Sequence, residues 1–142
     1  MILIKALSIH PDFALSIFTG GKTVECRTWK TDYRGDLLIC STRKKVKGTI
    51  PGHALCVVKL ADIQPFRRKH LKAAQMSSTD YQPGLYAWIL EDVRTIIPFE
   101  VKGKLSLWEC DHPIQYVDDS PDSMSEEEGD KLFKEIWEPL FV

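Results

Sequence analysis

The sequence predicts an α+β fold, a small mixed β-barrel with short flanking helices and a C-terminal helix. Three observations point there. Strand-like runs are short and outnumber helical ones, and they are not interleaved with the long amphipathic crossovers that a helix-wound parallel sheet requires. The 142 residues, 44% hydrophobic and 27% charged, have the composition of an ordinary globular domain. A chain of that length buries roughly 68 to 70% of its unfolded surface and needs no disulfide or metal staple.

Residues 2–9 are rich in Ile and Leu and alternate loosely, as a first strand would. Pro11 to Thr19 then places Phe13, Ile17 and Phe18 at helical spacing, with Pro11 suited to the first turn and Gly20-Gly21 to the stop. Thr23 to Trp29 is β-favouring. Period-two alternation sets Thr23, Glu25, Arg27 and Trp29 on one face and Val24, Cys26 and Thr28 on the other.

After a turn at Lys30 to Gly35, strands are expected at Asp36 to Ser41 and Ala54 to Leu60, joined by the basic loop Arg43-Lys44-Lys45-Val46-Lys47-Gly48. Arg67 to Gln75 reads as a short helix after Pro65. Leu85 to Leu90 and Leu105 to Glu109 are further strands, with a weaker one near Val93 to Ile97. The acidic stretch Asp118 to Asp130 reads as a loop leading into a helix at Ser125 to Trp137. Leu132, Phe133, Ile136 and Trp137 share one face of that helix, and Ser123 with Glu126 fits a capping box. The expected division is a barrel over residues 1–117, with residues 118–142 packed on the same domain.

The net charge of -1 conceals a segregation. Residues 1–72 carry 14 Lys and Arg against 5 Asp and Glu, a net +9; residues 73–117 carry -3 and residues 118–142 carry -7. A basic first half points to an anionic partner such as nucleic acid, while mutual screening of the two charged halves is the plain alternative.

Apolar runs such as Ala54 to Val58 fall far short of the stretch of about 20 residues that crosses a membrane, and the N-terminus has no signal-peptide pattern. An intracellular, cytoplasmic protein is expected, with the nucleus left open and no membrane partner. Cys26, Cys40, Cys56 and Cys110 lack metal or redox spacing, as do His10, His53, His70 and His112. Free thiols, no metal and no cofactor are therefore expected.

The stretch most suited to chemistry is Gly20-Gly21-Lys22-Thr23-Val24-Glu25-Cys26-Arg27, with Trp29 two places on. Glu25 and Arg27 would project from one strand face about 7 Å apart, with Lys22 and Arg27 supplying positive charge and Trp29 a stacking surface for a base. Read from spacing alone, the same residues also fit a surface salt bridge with Trp29 in the core. Arg43, Lys44, Lys45 and Lys47, and the run Arg67 to His70, suit phosphate contact or a solvated face.

The stretch resembles the ASCH domain, a PUA-like β-barrel family whose signature G-x-K-x-x-E-x-R is matched by Gly20, Lys22, Glu25 and Arg27. The likeness extends through Ala6 to Ile9, Arg27 to Gly35 (including Lys30 and Arg34), Leu37 to Ile39, Ala87 to Val93 and Pro98 to Gly103, roughly half the chain. It is nearest in motif to the activating signal cointegrator branch.

The resemblance implies a cleft lined by Lys22, Glu25 and Arg27, and together with the basic first half it points to binding of RNA or a nucleotide, with Trp29, Lys30 and Arg34 beside the cleft and, from the charged loop where the sequence departs from the family, Arg43, Lys44, Lys45 and Lys47 as further phosphate contacts. It also implies a rival, because similar proteins hydrolyse N4-acetylcytidine or cleave RNA. In that case Lys22 would be base or nucleophile and Glu25 a proton relay, although the amidohydrolase branch has Thr where Glu25 stands. A third reading makes the acidic helix a protein-docking element.

Overall fold

The computed structural model describes residues 3–118, 120 and 122–142. Ile2, expected in the first strand, and positions 119 and 121 of the acidic stretch lie outside the described residues. The chain runs β1 (Ile4–Ile9), α1 (Pro11–Phe18), β2 (Val24–Arg27), β3 (Gly35–Ser41), β4 (His53–Pro65), α2 (Leu71–Ala74), β5 (Tyr86–Glu100), β6 (Leu107–Cys110) and α3 (Glu126–Ile136). Short 3-10 turns interrupt it at Arg68–His70, Ser78–Asp80 and Glu138–Leu140.

All six strands form one mixed sheet in the order β2-β5-β4-β3-β1-β6, with β1 parallel to β3 and every other pair antiparallel. The backbone does not close this sheet into the expected barrel. The end strands β2 and β6 have four residues each, pair along β5 and β1, and do not reach one another among the described residues. Strong bending takes the place of closure. The β4–β5 register shifts at Ala54/Cys56, Val57/Lys59 and Leu60/Asp62, and each such bulge adds twist and turns the strands.

One of these bulges also explains why two expected strands are a single one. Val58 stands opposite both Asp92 and Val93, and Asp92, at a φ of 54°, absorbs the extra residue without ending the ladder. At the other end of β5, Leu105 and Ser106 are loop, with β6 starting only at Leu107.

β3 explains where the core lies. Leu37 and Ile39 face the larger cluster, which contains Leu7, Ile9, Ile17, Leu55 and Trp88, while Leu38 and Cys40 face a second with Ala6, Val57 and Ile96. Period-two alternation thus buries both faces of the central strand. Cys40, Cys56 and Cys110 lie in this core as free thiols, and burial pushes the Cys56 thiol up to about 12.

α1 begins as its residues dictate, with Pro11 in the first turn and His10 Nδ1 accepting from the Asp12 amide at 3.3 Å. It ends at Gly20, whose φ of 86° lets the chain turn sharply into β2. The capping box of α3 lies two residues on from the expected one, formed by Ser125 and Glu128, because Ser123 Oγ donates to the Asp118 and Ser120 carbonyls instead. Leu132, Ile136 and Trp137 pack on the larger core, and Trp137 stacks near Phe18 with ring centroids 6.5 Å apart. Its Nε1 has no hydrogen-bond partner among the described residues.

The helix expected over Arg67 to Gln75 divides into the 3-10 turn and α2, stopped by Gln75 at a φ of 56°. His70 organises the division: its Nδ1 accepts from the Arg67 amide at 2.9 Å, and its Nε2 lies 3.3 Å from Gln64 Oε1.

Packing and titration each set a measurable expectation. Trp137→Ala should cost about 3–5 kcal/mol in denaturant unfolding, while Trp137→Phe, which keeps an aromatic ring and removes the unpaired N–H, should cost much less. Equal losses would mean the indole nitrogen is satisfied. Burial, with Lys69 and Arg67 nearby, lowers the His70 pKa below its ordinary value. The unfolded chain therefore binds this proton first, and stability should fall as the pH drops from about 7 to about 5. His70→Gln should flatten that fall in thermal melts across the range.

Candidate functional site

The turn after α1 delivers Lys22 to a place of three backbone anchors rather than to an open cleft. Its amide donates to the Ser16 carbonyl at 3.1 Å, the next amide, of Thr23, to Ala73 at 3.0 Å, and the Leu90 amide to the Thr23 carbonyl at 2.9 Å. So held, Lys22 is 2% exposed. Its Nζ donates to the Ala74 carbonyl at 2.6 Å, lies 3.6 Å from Glu25 Oε1, and sits 4.8 Å from the centroid of the Phe13 ring. Burial lowers its pKa from the ordinary lysine value, and the Glu25 carboxylate opposes that fall.

Glu25, 4% exposed, joins the core to the surface. Oε1 accepts from the Cys26 amide at 3.2 Å, and Oε2 accepts from Arg27 Nη2 at 3.0 Å. That same Nη2 donates to the Ser8 carbonyl of β1 at 3.2 Å. A side chain of β2 thereby reaches a strand four places away in the sheet order, spanning the gap that backbone pairing leaves open. Arg27 Nε is buried without a partner among the described residues, while 24% of the side chain remains exposed.

That exposed part lines a cavity of about 380 Å³ at the C-terminal ends of β1, β3 and β5. Ser8, Ser41, Thr42, Arg43 and the loop Val101 to Ser106 complete its wall. Four cations, Arg27, Arg43, Lys102 and Lys104, line it, and no carboxylate does. Arg43 lies 3.8 Å from Glu100 across exposed surface, and neither lysine has an ion-pair partner among the described residues. The loop approaches β1 only because residue 103 is glycine: a Cβ there would meet Ser8 Oγ at 2.7 Å. Ser8 Oγ in turn accepts from Trp108 Nε1 at 3.1 Å.

The other residues singled out in the sequence are dispersed. Trp29 is half-buried, its ring edge-on to Trp88 with centroids 4.8 Å apart, and its carbonyl accepts from Trp88 Nε1. It does not line the cavity. Lys30 Nζ lies 5.7 Å from the Tyr86 ring, and Arg34 Nη1 donates to the Thr31 and Tyr33 carbonyls. Lys44, Lys45 and Lys47 are exposed on a loop tied to the end of the chain, since the Gly48 amide donates to the Val142 carbonyl at 2.8 Å.

Sequence reasoning missed Ser8, Ser41, Thr42, Lys102, Lys104 and Ser106. For the lysines the available signal was Lys102-Gly103-Lys104, two cations around a glycine, hidden by averaging over a segment that is net negative.

A family model described as the ASCH domain matches residues 7–102. Among solved structures, the crystal structure of ASCH from Zymomonas mobilis is similar to this chain at 20% identity and a TM-score of 0.59, covering 92% of this chain and 93% of that one. A Tyr-to-Phe mutant of the same protein gives 20% identity, a TM-score of 0.59, and coverage of 92% and 96%. A Ser-to-Ala mutant gives 19%, 0.59, and coverage of 93% and 95%. No curated protein matches the chain.

The burial of Lys22 and Glu25 has a measurable consequence. Glu25→Ala strands a buried ammonium and should cost about 3–5 kcal/mol, whereas Lys22→Met combined with Glu25→Leu removes both charges and should cost less than the two single changes added together. Strict additivity in urea unfolding would show that the two side chains do not share one network.

Proposed function

From the fact that the chain belongs to the ASCH domain family, we propose that it is a binding domain for RNA or a nucleotide, with ligand phosphate held in the cavity between Arg27, Arg43, Lys102 and Lys104. One observation carries the reading: four cations converge on a concave site with no acid in its lining. Its volume of about 380 Å³ falls within the range of roughly 300 to 1,000 Å³ typical of small-ligand sites. The hydroxyls of Ser8, Thr42 and Ser106 add neutral partners suited to phosphate or sugar oxygens.

In this reading Lys22 and Glu25 act at one remove. Glu25 orients the Arg27 guanidinium, Lys22 fixes Glu25, and neither touches the ligand. The rival hydrolase would need Lys22 Nζ against a substrate carbonyl or phosphorus. That nitrogen is enclosed beside Phe13 and already donates to Ala74. A docking role for the acidic helix is also less favoured, because Leu132, Ile136 and Trp137 of its apolar stripe are used in packing on the core, which leaves Phe133 alone exposed among the four.

Lys102 and Lys104 offer the clean test, since both are exposed and their truncation should leave the melting temperature nearly unchanged. Log affinity for a fluorescein-labelled single-stranded RNA should fall linearly with log salt. Lys102→Ala with Lys104→Ala should make that slope shallower by about 0.7 for each phosphate no longer neutralised. Binding that ignores salt, or a slope the double change leaves alone, overthrows the phosphate site.

A further inference from the structure

Leu105 stands 94% exposed at the rim of this cavity, the most exposed of the large apolar side chains described. Its neighbours Lys104 and Ser106 line the same cavity. The loop that carries it is fastened at both stems. On one side the Val101 amide donates to Gly52 at 2.9 Å and Gly103 rests against Ser8; on the other, Trp108 pairs with Ala6 and donates to Ser8 Oγ. Ser106, at a φ of 59°, adopts the left-handed conformation between them. Leu105 is therefore presented by its backbone at a fixed site and contributes almost nothing to the core.

Resting on the nucleic-acid reading, we propose that Leu105 is a base-contacting wedge: it receives the face of one unstacked base whose flanking phosphates lie on Lys102, Lys104 and Arg27, so the cavity takes single-stranded or loop RNA and discriminates against paired strands. The chemistry of the lining leads to this. A nucleotide offers an anion and a flat apolar face together, and the cavity answers the anion four times over. For the base it has no aromatic side chain in its lining, and Trp29, the aromatic expected to stack one, is engaged with Trp88. Leu105 is the broad apolar surface that remains within reach. A base inside a duplex has both faces covered by its neighbours, so only an unstacked one can lie against a side chain at this position.

Fluorescence anisotropy with a labelled single-stranded RNA, and with the same strand annealed to its complement, tests this on the full chain. Leu105→Ala should weaken single-strand binding about fivefold to tenfold, the lower end of what removal of a base-stacking side chain costs. The salt slope, the affinity for the duplex and the melting temperature should stay unchanged, and Leu105→Trp should restore or tighten single-strand binding. If wild-type binding depends on Lys102 and Lys104 but Leu105→Ala binds both RNAs as before, the wedge is wrong and the phosphate site stands. Equal weakening for both RNAs, or loss of a copurifying protein with RNA affinity unchanged, also overturns it. If the wild type binds neither RNA, the wedge and the nucleic-acid reading fail together.

Discussion

A single guanidinium ties together the two sides of an open sheet. Arg27 extends from β2, at one edge, to the Ser8 carbonyl of β1, next to the opposite edge. It can do so because the bulged strands β4 and β5 bend the sheet between them. Held at its other end by the buried carboxylate of Glu25, Arg27 is both a strut and the innermost cation of the cavity. A buried ion pair is a poor device for stability alone, since its desolvation offsets most of the attraction, and a well-packed apolar pair would serve the core as well. The unpartnered Nε adds a further cost of about 1–3 kcal/mol. What the arrangement does achieve is a cation fixed in direction at the mouth of the site.

The signature residues divide by depth along this chain of contacts. Lys22 is enclosed by α1, β2 and the end of α2, and through Glu25 it is linked to Arg27, which meets the cavity. Three charges of alternating sign thus run from core to surface, each compensating the next. This is why a motif whose residues look equivalent in sequence contains two side chains that solvent scarcely reaches and one that a ligand can.

Much of the fold was legible because local rules decided it. Pro11 and Gly20 bracket α1, β3 alternates between two cores, and of the stripe expected on α3 Leu132, Ile136 and Trp137 pack on the core while Phe133 stays exposed. What escaped was set by long-range geometry. Nothing near Asp92 announces that a bulge will carry one strand through, and nothing around Glu25 reveals that curvature will bury its side of β2. Period-two alternation separated Glu25 from Val24 correctly by face, yet both are buried, because a bent sheet covers both sides. The cavity was legible only in part: Arg27 and Arg43 stood out by motif and charge run, whereas Ser8 and Lys102 are neighbours only after β1 and the end of β5 are brought together.

The charge segregation along the chain can now be weighed against the alternative that its two halves neutralise each other. The ion pairs of the body stay within the body: Lys5 with Glu109, Arg34 with Asp62, Arg94 with Asp36, and Arg43 with Glu100. In the tail, Lys131 pairs with Glu135 of the same helix. Among the described residues no ion pair joins the tail to the body, so the described acids of the tail do not neutralise the basic segment by contact. At physiological ionic strength, charges separated by more than about 8 Å are largely screened from each other. The cations around the cavity therefore keep a local positive field whatever the net charge of the molecule, and a concave wall concentrates that field on whatever anion enters.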